Sequence, residues 1–172
     1  PIKVATEAGT IGAVYQACKG SDCDYILKVS PLYSNSPANE GKISVLADKL
    51  GIGAKIYDHG ICSVKGDPNP YMPSKHEYIV MENLSNTMEA YYPYQTKHVI
   101  EALKLYNRLI VNGIVQNDLK VNNIMFDSKG KMYIIDYGIA KMVTGSKDQK
   151  QHIIDVSTLL LNTMFFKASE FG

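Results

Sequence analysis

The sequence predicts an α+β fold in two parts, a β-rich one over residues 1–82 and a helical one over residues 83–172. Three observations carry that expectation. Up to about Met81 the chain runs in short β-like segments with a single helical interruption. After Asn83 the apolar positions take on the longer 3.6-residue period of helices. Between the clearest helix and two short apolar runs lies an Asn/Asp-rich loop, Val115-Gln-Asn-Asp-Leu-Lys-Val-Asn-Asn-Ile-Met-Phe126.

Taken in order, Ala13–Cys18 and Tyr25–Ser30 read as strands joined by the turn Lys19-Gly-Ser-Asp22. A helix opens at Pro37 or Ala38 and runs to about Leu50, with Ile43, Leu46 and Leu50 on one stripe, and Gly51 and Gly53 end it. Lys55–Cys62 and Glu77–Glu82 are two further strands, separated by the Pro-rich loop Lys65–Pro73. Thr96 to about Asn112 is the clearest helix, with Val99, Leu103, Tyr106 and Ile110 on one face and Gly113 as its stop. Met132–Ile135 is a short strand that feeds Asp136. Lys141–Gln151 is polar and reads as exposed, and Ile153 to about Phe166 as a final apolar helix.

Composition excludes more than it assigns. A net charge of +1 gives no electrostatic case for nucleic acid or an acidic membrane surface. The longest apolar runs, such as Leu159–Leu161, are too short to span a bilayer. Three cysteines form no metal-type spacing. Cys18 and Cys23 flank the first turn and could face each other across two strands, but the simpler reading is two small strand residues in a reducing, cytosol-like compartment. The chain opens on Pro1 rather than Met, which leaves room for residues ahead of it.

The chemistry sits in the polar loop. Asp118, Lys120, Asn123 and Asp136 stand at offsets suited to phosphoryl transfer. One carboxylate orients a hydroxyl nucleophile, an amide and a second carboxylate hold Mg²⁺, and the lysine steadies the transferring phosphate. With Asp118-Leu-Lys-x-x-Asn123 followed by Asp136-Tyr-Gly138, the chain resembles the protein kinase family at its catalytic loop and its Asp-Phe-Gly motif.

The resemblance extends to the N-terminal part. Glu7-Ala-Gly9-Thr-Ile-Gly12-Ala-Val14 is similar to the family's Gly-rich loop at Gly9, Gly12 and Val14, with Glu7 in place of the first glycine. By that likeness, Lys28 binds the α- and β-phosphates of ATP and Glu40 pairs with Lys28. Ile26 stands where the family has an alanine against the adenine. Val80 guards the pocket behind the base, and the backbone of Glu82 to Leu84 reads the adenine edge. Asp118, Lys120 and Lys28 are then the catalytic residues. Asn123 and Asp136 are the metal ligands, with ATP and Mg²⁺ or Mn²⁺ as cofactors.

The departures matter as much. The family's His-Arg pair ahead of the catalytic Asp is Gln116-Asn117 here, and that Arg normally meets a phosphorylated activation loop. No Ala-Pro-Glu motif follows Gly138, and Asp155 resembles the Asp that opens helix F. The resemblance, over residues 7 to about 160, therefore implies a minimal Ser/Thr-type kinase acting on a protein substrate. Loop phosphorylation would not control it, and Asn117→Arg would change little. The trimmed form is similar to kinases of large DNA viruses and of bacterial effectors. That likeness implies the cytosol of a host cell, with host proteins among the candidate substrates; the oligomeric state stays open, with a monomer expected. Two alternatives stay open: a small-molecule kinase on the same fold, and an ATP-binding pseudokinase that acts as a binding module.

Overall fold

The computed structural model describes residues 3–4, 12–20, 22–33, 38–63, 73–91 and 95–143. Five strands form one antiparallel sheet in the order β1-β2-β3-β5-β4: β1 (Lys3–Val4), β2 (Ala13–Lys19), β3 (Asp22–Pro31), β4 (Ile56–Ser63) and β5 (Lys75–Glu82). The first hairpin closes with Lys19 opposite Asp22, and Gly20 at φ +66° takes the left-handed turn conformation that glycine adopts without penalty. Lys28 pairs with Val14 on one side and Ile79 on the other. Because side chains alternate along a strand, Ile26, Lys28, Ile79 and Met81 share one sheet face.

Helix α1 (Glu40–Lys49) connects β3 to β4 and packs on that face. It starts at Glu40, after Asn39, two or three residues later than expected, and residues 34–37 lie outside the described set. Its buried stripe is Ile43 and Ala47, with Leu46 and Leu50 half-buried at its flank. Gly51, at φ +67°, ends the helix, and the amides of Ile52 and Gly53 both donate to Ala47 O.

The second part is built on helix α2 (Thr96–Val111). The expected stripe needs correction: Ala102, Leu105, Tyr106, Leu109 and Ile110 are buried, while Val99 and Leu103 sit at the margin. A five-member stripe is what a helix needs when it packs on a broad core, not along a narrow seam. Two small sheets follow. β6 (Asn86–Thr87), β8 (Ile124–Phe126) and β9 (Met132–Ile134) pair in the order β6-β8-β9. β7 (Ile114–Val115) pairs with β10 (Lys141–Met142).

The main core crosses between the parts. Ile43, Ala47 and Ile52 of the first part pack in one cluster with Leu105, Leu109, Ile124, Ile134 and Tyr137 of the second. Ile134 N–H donates to Ile52 O at 2.9 Å, and the Arg108 guanidinium donates to Leu50 O. Both groups touching Leu50 and Ile52 come from beyond residue 83, so the turn after α1 is anchored on the second part.

Cys18 is disulfide-bonded and Cys62 carries a free thiol. Cys18 is therefore not simply a small strand residue; it lies at the irregularity where the β2–β3 register shifts between Ala17 and Lys19. The Cys23 side chain lies outside the described residues, as do the final helix expected over 153–166, Asp155 and most of Lys141–Gln151. Lys141 and Met142 are exposed, as that polar stretch implied. Among the described residues, no helix is long and apolar enough to cross a membrane.

Candidate active site

A cleft of about 440 Å³ lies between the inner face of the large sheet and the β8–β9 hairpin. That size is in the range of small-molecule sites. Val14, Ile26, Ala54, Met81, Leu84 and Met125 form its apolar walls, and Lys28, Glu40 and Asp136 its polar end. Strand alternation places one side of it: Val14, Ile26, Lys28 and Met81 are the inward positions of three adjacent, paired strands.

At the polar end, Lys28 Nζ donates to Glu40 Oε1 at 2.6 Å and to Asp136 Oδ1 at 2.8 Å. One ammonium thus links three elements that are distant in sequence: β3, the first turn of α1 and the segment after β9. Burial disfavours the Lys28 charge, but Glu40 and Asp136 outweigh it and hold the ammonium above its ordinary range. For Glu40 the balance is reversed. Its carboxyl is only 7% exposed, and burial raises it above the usual carboxylate range against the pull of Lys28. Burial also pushes Asp136 up, yet the charge and hydrogen bond of Lys28 win and its carboxyl lies below the usual range.

Asp136 has φ +61°, a conformation uncommon outside glycine. The Gly138 amide reaches back to Asp136 Oδ1 at 3.3 Å, and a Cβ at Gly138 would stand 3.3 Å from that same oxygen. Tyr137, between them, is buried in the main core, and its hydroxyl donates to Ile134 O at 3.0 Å.

The catalytic-loop residues come together around Asp118. Lys120 Nζ donates to Asp118 Oδ2 at 2.8 Å, and Asn123 Nδ2 donates to Asp118 O at 2.8 Å and to its Oδ2 at 3.0 Å. Lys120 and Asp118 are half open to solvent, where such a pair adds little stability. The arrangement fixes the Asp118 carboxylate from two side chains of its own loop, and of that loop only Asn122 and Met125 line the cleft itself. Asn123, in contrast, is buried, on a 3-10 turn over Val121–Asn123.

Two residues that sequence reading treated only as losses hold the site together. Gln116 is completely buried. Its Nε2 donates to Ile135 O at 3.1 Å and to Asp136 O at 2.9 Å, while its Oε1 accepts the Asp118 amide at 2.9 Å. A single side-chain amide therefore ties the backbone of Asp118 to that of Asp136. Asn117 sits at φ +63°, which asparagine tolerates better than most residues, and its Nδ2 donates to Ile139 O at 3.0 Å. The signal available in sequence was residue type alone: Gln supplies donor and acceptor together, and Asn suits a left-handed turn.

The remaining expected positions divide. Gly9 lies outside the described residues. Gly12 is packed against β3: a Cβ there would meet Val29 O and Ser30 Oγ at 2.7 Å, so close strand approach already requires glycine. Val80 is corrected. It lines a separate shallow depression with Tyr25, Tyr57 and Asp58 on the other sheet face, and its neighbour Met81 lines the cleft. The period of two decides this, since Met81 is in register with the inward Ile26 and Val80 with Leu27. Glu82 and Leu84 do line the cleft, but the amides of Glu82 and Asn83 are already taken by Lys55 O and Asp24 O.

A metal needs oxygen ligands facing open space. Among the described residues, no three His, Cys, Asp or Glu side chains cluster as a metal site. The Asp136 side chain is 44% exposed at the cleft, and Lys28 and Gly138 both engage its Oδ1. Asn123 bonds through its Nδ2, which leaves its amide oxygen chemically suited to a hard cation. This sparse set fits a cation that takes its remaining ligands from phosphate and water.

Comparison with known proteins agrees with the geometry. A family model described as the protein kinase domain matches residues 7–170. Serine/threonine-protein kinase F of Synechocystis is 32% identical over 72 residues, covering 40% of this chain and 14% of its own length. Mitogen-activated protein kinase kinase kinase 1 of Arabidopsis thaliana is 26% identical over 145 residues, 78% of this chain and 23% of its own. Serine/threonine-protein kinase PknB of Mycobacterium tuberculosis is 30% identical over 95 residues, 53% of this chain and 15% of its own. The chain thus spans less than a quarter of the length of these relatives. With its family match running nearly end to end, the chain belongs to the protein kinase family.

Proposed function

We propose that this chain transfers the γ-phosphate of ATP to Ser or Thr of a protein substrate. The observation that carries the reading is the Lys28 ammonium held by both Glu40 and Asp136 at the polar end of an apolar cleft. Such a charge, fixed from two sides, suits the phosphates of a nucleotide whose base lies among Val14, Ile26, Met81 and Leu84. Residues 1–82 and 83–172 are then read as the two lobes that hold it. Leu84 is the best-placed backbone contact for the base edge, because the amides before it are engaged.

Asn123 and Asp136 would hold Mg²⁺, which would neutralise charge on the phosphates. Asp118 orients the acceptor hydroxyl and receives its proton. Lys120, now paired with Asp118, is placed to turn toward the transferring phosphate. A lysine two residues after the carboxylate goes with Ser/Thr acceptors in the resemblance, and the names of the bacterial relatives agree. The same lysine disfavours a small-molecule acceptor, and the complete charged set disfavours a binding-only role.

We further infer that the enzyme is competent without loop phosphorylation. Here the segment after Gly138 is held by neutral contacts: Asn117 on Ile139 O, Val143 N–H on Gly113 O at 2.8 Å, and β7 paired with β10. A viral or effector role on a host protein is the setting that the resemblance to such kinases suggests.

The test is mass-spectrometric mapping of phosphate on a generic protein acceptor after incubation with Mg·ATP. Wild type should place it on Ser and Thr, and Asp118→Ala should lower the yield on the order of a thousandfold. Equal yields from both proteins, or phosphate confined to Tyr, would overturn the reading.

A further inference from the structure

The Lys28–Glu40 pair depends on where the first turn of α1 sits, and that turn lacks a local cap. Asn39, the residue before it, makes no side-chain capping bond. The first amides of a helix have no partner inside it and need one from elsewhere. Here the partner comes from the sheet. Glu77 on β5 is 6% exposed, and its Oε1 accepts the Gly41 amide at 2.9 Å.

Three further observations make this a built contact. Glu77 lies two residues before Ile79, the register partner of Lys28, so it occupies the next position on the same sheet face. A Cβ at Gly41 would stand 2.7 Å from His59 Nδ1 and 3.1 Å from Glu77 Oε1, so only glycine allows α1 to approach the sheet this closely. Glu77 also lies near the Glu40 carboxylate, where its charge adds a small upward push to the larger one that burial gives Glu40.

We propose that Glu77 is a positioning residue for phosphoryl transfer: through the Gly41 amide it fixes the depth of α1 and so holds Glu40 on Lys28. This rests on the kinase reading above. A negative group at a helix N-terminus also complements the helix dipole, so the contact is favourable as well as directional.

Two readouts on the folded full chain test it. The first is the kinetics of transfer, with KM for ATP and kcat measured separately. The second needs no catalysis: the rate at which an amine-reactive ester acylates Lys28, followed by mass spectrometry. Glu77→Ala should lower kcat/KM about tenfold and speed Lys28 acylation by a similar factor. Glu77→Gln, which keeps an acceptor oxygen, should recover most of both. In a Glu40→Gln background, Glu77→Ala should add no more than about twofold, because its effect passes through Glu40.

Gly41→Ala covers the case in which Glu77→Ala does not fold. Alanine is the better helix former, yet this variant should lose activity and expose Lys28. An equal kinetic loss with and without Glu40, or Lys28 as protected in Glu77→Ala or Gly41→Ala as in wild type, would overturn the proposal. A wild type that transfers no phosphate but keeps Lys28 protected would instead count against the kinase reading alone.

Discussion

Gln116 joins the backbone of Asp118 to that of Asp136 with one neutral side-chain amide, donor on one side and acceptor on the other. Because it is fully buried, its loss leaves two carbonyls and one amide without partners. Gln116→Ala should therefore cost on the order of 2–4 kcal/mol in urea unfolding. Gln116→Glu should be no better, since a carboxylate presents an acceptor to two carbonyls. A Gln116→Glu variant as stable as wild type would mean that Gln116 does not donate to the carbonyls of Ile135 and Asp136.

The two carboxylates at the polar end differ in their response to pH. The raised Glu40 carboxyl binds its proton more tightly folded than unfolded, so its contribution to stability falls as pH rises through the folded value. The depressed Asp136 carboxyl adds stability above its ordinary 3.8, and loses it only as pH falls through a still lower value. Acidification thus protonates Glu40 first and releases its grip on Lys28. The transfer rate should fall in that window while wild type gains stability relative to Glu40→Gln. A rate profile and urea midpoints over the same pH range check both signs. Glu40 and Lys28 were legible from motif and spacing. The size of the burial effect on Glu40 was not, because it depends on packing between residues far apart in sequence.

At the scale of elements, legibility largely followed length, although the three-residue β9 was readable from the apolar run ahead of Asp136. β2, β3, β4, β5, α1 and α2 were readable to within a few residues because each carries several periods of its pattern. β6, β7, β8 and β10 are two or three residues long and have no pattern to read; tertiary pairing defines them. The Val80 error is of another kind. A period-two element assigned correctly but read one residue out of phase turns every side chain to the wrong face.

Two predictions belong at this scale. Asn117→Arg no longer reads as silent. It removes the Ile139 anchor and places a bulkier residue at φ +63°, so it should lower the transfer rate several-fold, or about 1–2 kcal/mol in stability. Asn117→Gly, which keeps the backbone conformation, separates the two causes. Tyr137→Phe keeps the buried ring and deletes only the bond to Ile134 O, and should cost about 1 kcal/mol in thermal or urea unfolding.

In the whole molecule, one apolar cluster runs from α1 into α2 and the β8–β9 hairpin, and the Lys28 contacts sit at its edge. The groups that would meet a nucleotide are therefore fixed by packing on both sides of the cleft, and no described loop is needed to bring them together. The sequence motifs identified the chemistry; how firmly that chemistry is held could be seen only once the two parts were packed. The most direct test is the initial rate of γ-phosphate transfer from Mg·ATP by wild type and Asp136→Ala, purified in parallel. Asp136 joins Lys28 to the proposed metal site, so its removal should lower the rate by on the order of a thousandfold with little change in fold. Equal rates from the two proteins would contradict the account.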